Sequence, residues 1–147
     1  MTVPIPRRKF VVALAGAATW PLVARAQQRD RVRRIGVLLP GDENTPGPKT
    51  FVSEFRQALA GFGWTDGRNA RMDLRWYGDD INRAGALAQE LVGLQPDIIL
   101  TFGATATAVL QRETRTIPIV FANVADPVAS GIVARLDRPS GNITGLS

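Results

Sequence analysis

Three short runs of apolar, mostly β-branched residues constrain this chain most: "RIGVLL" at 34–39, "DIILTF" at 97–102 and "PIVFA" at 118–122. Runs of this kind, without polar alternation, suit parallel strands that helices cover on both faces. Pro118 opens its run, where its missing N–H is tolerated. "ARMDLRWY" at 70–77 alternates instead, setting Met72, Leu74 and Trp76 against Arg71, Asp73 and Arg75, the pattern of an edge strand with one wet face. A last short strand is expected in "NITGLS" at 142–147.

Helical periodicity fills the gaps between the strands. Phe51, Val52, Phe55, Ala58, Leu59 and Phe62 form one stripe that ends at Gly61 and Gly63, and Ala84, Leu87, Ala88, Leu91 and Leu94 form a second. Ala106, Val109 and Leu110 mark a shorter third helix, and Val128, Ala129, Ile132, Val133 and Leu136 a fourth. Strand and helix in alternation specify a doubly wound α/β fold with right-handed crossovers. The expected sheet is parallel, with the flavodoxin-like strand order 2-1-3-4-5 and the alternating strand at its edge.

The N-terminal segment has a different character. Arg7, Arg8 and Lys9 precede an apolar stretch from Phe10 to Val23, and Ala24-Arg25-Ala26 places small residues around a cut after Ala26. These are the three parts of an export signal, and the paired arginines resemble the twin-arginine motif. The stretch is shorter than the ~20 residues that span a bilayer, and Pro21 interrupts it. Residues 1–26 are therefore expected to leave, with residues 27–147 released into the periplasm and no stable membrane anchor after cleavage. Four of the 18 basic residues go with the signal, so residues 27–147 hold 14 basic against 13 acidic side chains. That near-neutral balance argues against nucleic acid as a partner.

In a sheet of this order, ligands sit beyond the carboxyl ends of the strands, where the winding reverses between the first and third. The rule selects the loops "PGDENTPGP" (40–48), "GATAT" (103–107) and "NVADPV" (123–128), with "GDD" (78–80) farther out. Thr105 is placed to cap the third helix, and with the bare amides of Ala104 and Ala106 it is also placed to hold a carboxylate. Asp126-Pro127 has the cap-then-proline order of a helix start, and a second role for Asp126 is to accept from a ligand ammonium. Asp42 and Glu43 read as solvated loop charges. The chain has no His and no Cys, so the common general base and the thiol nucleophile are missing, and no acidic set has metal-ligand spacing. Catalysis, metal and cofactor are not expected.

The blocks "RIGVLLPG", "FRQALAGFGWTDGRN", "LAQELVGLQPDIILTFG" and "TIPIVFANVADPVASGIVARLDRPSGNITGLS" together resemble the substrate-binding proteins of ABC transporters with the type I periplasmic-binding fold. The resemblance implies capture of a small solute, often an amino acid or related carboxylate, for delivery to an ABC permease in the inner membrane, without cofactor or catalysis. It assigns Pro40 and Gly41 to the first ligand loop, Gly103, Ala104 and Thr105 to an amide turn, and Asp126 and Pro127 to a third wall. Members of that family have two lobes, and residues 27–147 match the N-terminal one, so a truncated, weakly binding form is expected. Two other readings predict the same strands and helices: a ligand-sensing lobe serving a membrane receptor, and a flavodoxin-like single-domain enzyme.

Overall fold

A computed structural model describes residues 31–137 and 141–145. The expected signal peptide and its cleavage site lie outside the described residues, as do Leu146 and Ser147. The element order is β1 (Arg33–Leu39), α1 (Pro46–Gly61), β2 (Ala70–Trp76), α2 (Ile81–Gly93), β3 (Ile98–Phe102), α3 (Ala104–Glu113), β4 (Ile119–Ala122) and β5 (Ile143–Gly145). All strand pairs are parallel, and the sheet order is β2-β1-β3-β4-β5, as the apolar runs predict.

The strands divide the core into two clusters because successive side chains point to opposite faces. Ile35, Val37 and Leu39 of β1 join Leu100 and Val52 under α1, with Phe51, Phe55 and Leu59 packed alongside. Leu38, Ile99 and Ile119 join Ala84, Ala88 and Leu91 of α2 and Ala106 and Leu110 of α3 on the other face. Central strands wrapped in this way must be apolar on both sides.

The edge strand departs from expectation on its polar face. Asp73 is buried rather than wet, and its carboxylate accepts from Arg34 Nε at 2.8 Å with Arg71 Nε at 3.4 Å. Arg75 of the same face reaches Glu90 of α2 at 2.7 Å. α2 therefore covers the Asp73 and Arg75 part of this face while Arg71 stays exposed, and guanidinium partners make the burial of Asp73 tolerable.

Two helical expectations need correction. Phe62 does not join the α1 stripe: it is 83% exposed, because the helix ends at Gly61 and the chain reverses at Gly63. Trp64 packs against that cluster in its place, its N–H donating to the Leu59 carbonyl at 2.9 Å. The fourth helix over residues 128–136 does not form. One helical turn closes when Ser130 N–H bonds Asp126 O at 3.0 Å, and then Gly131 adopts φ +70°. That left-handed residue ends the turn, and the Pro127 carbonyl accepts from both Ile132 and Val133, which bury while Val128 and Leu136 stay exposed.

Candidate functional site

Parallel pairing brings the carboxyl ends of β1, β3 and β4 to one rim. Leu38 pairs with Thr101, and Phe102 pairs with Ala122, so Pro40, Gly103 and Asn123 follow on adjacent strands. The three loops chosen by the winding rule are neighbours, and the reversal between β1 and β3 lies among them.

At the centre of the rim, β3 passes into α3 within one residue. Gly103 makes that turn at φ +88°, ψ 162°, and its N–H donates to Ala122 O at 2.9 Å. So abrupt a change of direction needs a left-handed φ, which glycine adopts without a steric penalty. Gly103, not Thr105, is therefore the N-cap, and it contributes no side-chain cap bond. Thr105 is the second helical residue, exposed beside exposed Ala104. Their N–H groups belong to the first turn, where a helix offers no carbonyl partner. Thr107 holds the turn from below: its hydroxyl lies 2.8 Å from both Gly103 O and Thr101 Oγ1, and both threonines are fully buried.

The outer loops are braced differently. Gly41 and Gly78 exchange two N–H···O bonds of 3.0 Å, tying the β1 loop to the chain leaving β2. Asp42 Oδ1 accepts from Asn44 N–H at 2.8 Å, and Asp42 N–H donates to Thr45 Oγ1 at 2.9 Å, so this aspartate has a defined turn role as well as exposure. After β4, Asn123 is left-handed at φ +55° and Asp126 Oδ1 accepts from Val128 and Ala129 N–H at 3.1 and 2.8 Å. The cap expected of Asp126 is present, on a single turn instead of a helix. Pro127 is buried beneath it.

A hollow of about 560 Å³ opens on the β1–β2 side of the rim, lined by Pro40, Gly41, Asp42, Thr45, Trp76, Gly78, Asp79 and Arg83. It contains two of the residues that the sequence selected, Pro40 and Gly41. Gly103, Ala104, Thr105, Asp126 and Pro127 are on the same rim but do not line it. Asp79 lies in the "GDD" loop that the winding rule set farther out, whereas Trp76 and Arg83 escaped the sequence reading. Their signal was present: Trp76 is the last apolar residue of the alternating strand, and Arg83 is a cation in the first turn of a helix. Tyr77, buried just below, has its phenol pushed above the ordinary value near 10 by burial and then by the Asp79 carboxylate. Among the described residues, no group of three or more His, Cys, Asp or Glu converges as a metal site would require.

The family described as ABC transporter substrate binding protein matches residues 43–147. A tyrosine-binding protein of Clostridioides difficile (strain R20291) is 31% identical over 93 residues, covering 63% of this chain and 27% of that protein. Among solved structures, a conserved domain protein from Vibrio cholerae is similar at 28% identity and TM-score 0.76, over 80% of this chain and 39% of that one. The ABC domain from Streptococcus pneumoniae in complex with L-Trp is similar at 25% identity and TM-score 0.73, over 79% and 38%. This chain thus spans about a quarter of the curated relative and about two fifths of each solved one.

Proposed function

The chain belongs to the ABC transporter substrate binding protein family, and from that premise we propose that its sheet rim captures an amino acid or related carboxylate for an ABC permease in the inner membrane. The observation that carries this reading is the gathering of three loops at the carboxyl ends of β1, β3 and β4, with exposed Ala104 and Thr105 at the start of α3 between them. First-turn amides and the positive end of a helix favour a carboxylate. Asp126, exposed on the next loop, is placed to meet an ammonium. The relatives named for tyrosine binding and solved with L-Trp support an amino acid as the solute.

In this reading residues 1–26 direct export and are cut after Ala26, so that the periplasmic protein begins at Gln27, which N-terminal sequencing of the exported chain checks. Residues 27–147 form one lobe, supplying one wall of the solute site. Pockets that enclose a ligand bury some 70–90% of it, and an open wall buries less. Affinity of this chain alone is then roughly millimolar, or about −4 kcal/mol.

A thermal-shift screen of amino acids, small carboxylates and neutral sugars tests the proposal. At ligand about twentyfold above Kd the folded state gains about 1.8 kcal/mol, enough to raise Tm by several degrees. The expected outcome is a shift with at least one amino acid and none with sugars, reduced in Asp126→Ala. An unchanged shift in that variant confines Asp126 to its turn bonds. A chain that responds to sugars and to no amino acid or carboxylate contradicts the function.

A further inference from the structure

We infer that β2 pairs with β2 of a second copy of this chain, antiparallel and with Leu74 on the twofold axis, so that two sheets continue as one. This self-association goes beyond solute capture and uses the outer edge of the sheet instead of its carboxyl rim.

Backbone hydrogen bonding leaves a window on that edge. Arg33 N–H donates to Asn69 O at 2.9 Å and Tyr77 N–H to Leu39 O at 3.0 Å, so the odd-numbered residues of β2 face β1 and Ala70, Met72, Leu74 and Trp76 turn their backbone groups outward. The amino half of the edge is closed. Ala70 bonds the 65–67 turn through both its N–H and its carbonyl, and Met72 N–H donates to Asp66 Oδ1 at 3.0 Å. Arg75 Nη1 donates to Leu74 O at 2.9 Å, which leaves that carbonyl a second lone pair. Met72 O, Leu74 N–H and both backbone groups of Trp76 have no hydrogen-bond partner among the described residues. Open edge groups of this kind are a template for another strand, and the window is centred on Leu74.

The side chains select a second copy as that strand. With the dyad on Leu74, Asp73 of each chain lies opposite Arg75 of the other, and Met72 lies opposite Trp76. A dyad on Asp73 or on Arg75 would set like charges directly against each other. One on Met72 meets the turn held by Asp66, and one on Trp76 runs off the end of the strand. On the apolar face, half-buried Met72, Leu74 and Trp76 line a hollow of about 630 Å³ beside α1, together with Val52, Glu43 and Arg56. Arg56 marks the Met72 end, being paired with Asp66 at 3.4 Å, and Glu43 follows the Gly41–Gly78 bridge at the Trp76 end. Antiparallel pairing therefore lays the Glu43 end of one groove against the Arg56 end of the other. A pattern complementary to itself under a twofold rotation is what an isologous dimer requires.

Cysteine cross-linking of the 147-residue chain, which has no cysteine of its own, reads the register. Leu74→Cys is expected to form a disulfide-linked dimer under mild oxidation. Met72→Cys and Trp76→Cys are each expected to stay uncoupled alone, because like positions then lie about 14 Å apart along the strands, and to couple when the two variants are mixed. Sedimentation of the unaltered chain is expected to show a dimer with Kd on the order of 100 µM, as suits a small interface. Arg75→Glu/Glu90→Arg keeps an ion pair within the chain but sets a glutamate opposite Asp73 of the second copy, and is expected to weaken the dimer about tenfold. Equal cross-linking at all three positions, or none at Leu74→Cys, overturns the proposal. So does a chain that stays monomeric at about 1 mM, whether or not another segment of the same chain protects the Leu74 N–H, or a dimer that the charge exchange leaves unchanged.

Discussion

Replacing Thr107 with valine is expected to lower the unfolding free energy by about 2–3 kcal/mol, an effect far larger than the near-identical volume of the two side chains suggests. Valine fills the same space at the start of α3 but removes the hydroxyl that joins Gly103 O and Thr101 Oγ1, each 2.8 Å away. Thr101 is fully buried, so its own hydroxyl is left without a partner. Such an orphan costs roughly 1–3 kcal/mol, whereas removing both members of a pair costs less. Thr101→Val/Thr107→Val should therefore be more stable than the sum of the single losses allows, a coupling that a double-mutant cycle in urea measures directly. Additive losses, or an unperturbed Thr107→Val, would show that the pair does not hold the β3–α3 turn.

The other large effect is expected at Gly41. Its φ of +70° is left-handed, which costs a residue with a Cβ about 1–2 kcal/mol. An added Cβ would also overlap Thr45 Oγ1 and lie 2.9 Å from Thr45 Cβ. Repacking of this kind costs a further 1–3 kcal/mol or so, and the hydroxyl displaced is the one that accepts from Asp42 N–H. Gly41→Ala should thus lose about 2–5 kcal/mol of stability and, by deforming the hollow, more than tenfold in affinity for an amino acid ligand. Adding Thr45→Gly relieves the overlap and leaves the backbone penalty, so the double variant should recover part of the stability. No recovery would place the damage in the backbone alone, and no loss in the single variant would mean that the loop is not braced as described.

How far the sequence foretold this arrangement follows from the physics of each segment. Strands β1, β3 and β4 were legible because burial on both faces leaves an unbroken apolar run, and their order followed from topology. Asp126 was legible as a cap because its N–H acceptor role is local, three residues at most from donor to acceptor. Residues 128–136 misled because helical spacing of apolar residues is blind to Gly131, whose left-handed backbone ends the turn and buries Ile132 and Val133 by another route. Thr105 misled for a related reason: threonine is a common N-cap, but the one-residue passage from β3 to α3 required glycine there. The hollow was legible only in part: the winding rule reached the 40–48 and 78–80 loops that pairing of β1 with β2 brings together, but not Trp76 and Arg83 on the elements beside them. Its lone cation in a first helical turn was the available clue.

One measurement tests the central claim most directly: backbone amide shift changes as L-tryptophan is added to the ¹⁵N-labelled chain. A solute wall at the carboxyl rim predicts that the amides of Gly41, Gly78, Ala104 and Thr105 move together with a single millimolar-range affinity, while those of Trp64 and Asp97, at the amino ends of the strands, remain still. Movement centred on Trp64 and Asp97, with the four rim amides unchanged, would contradict it.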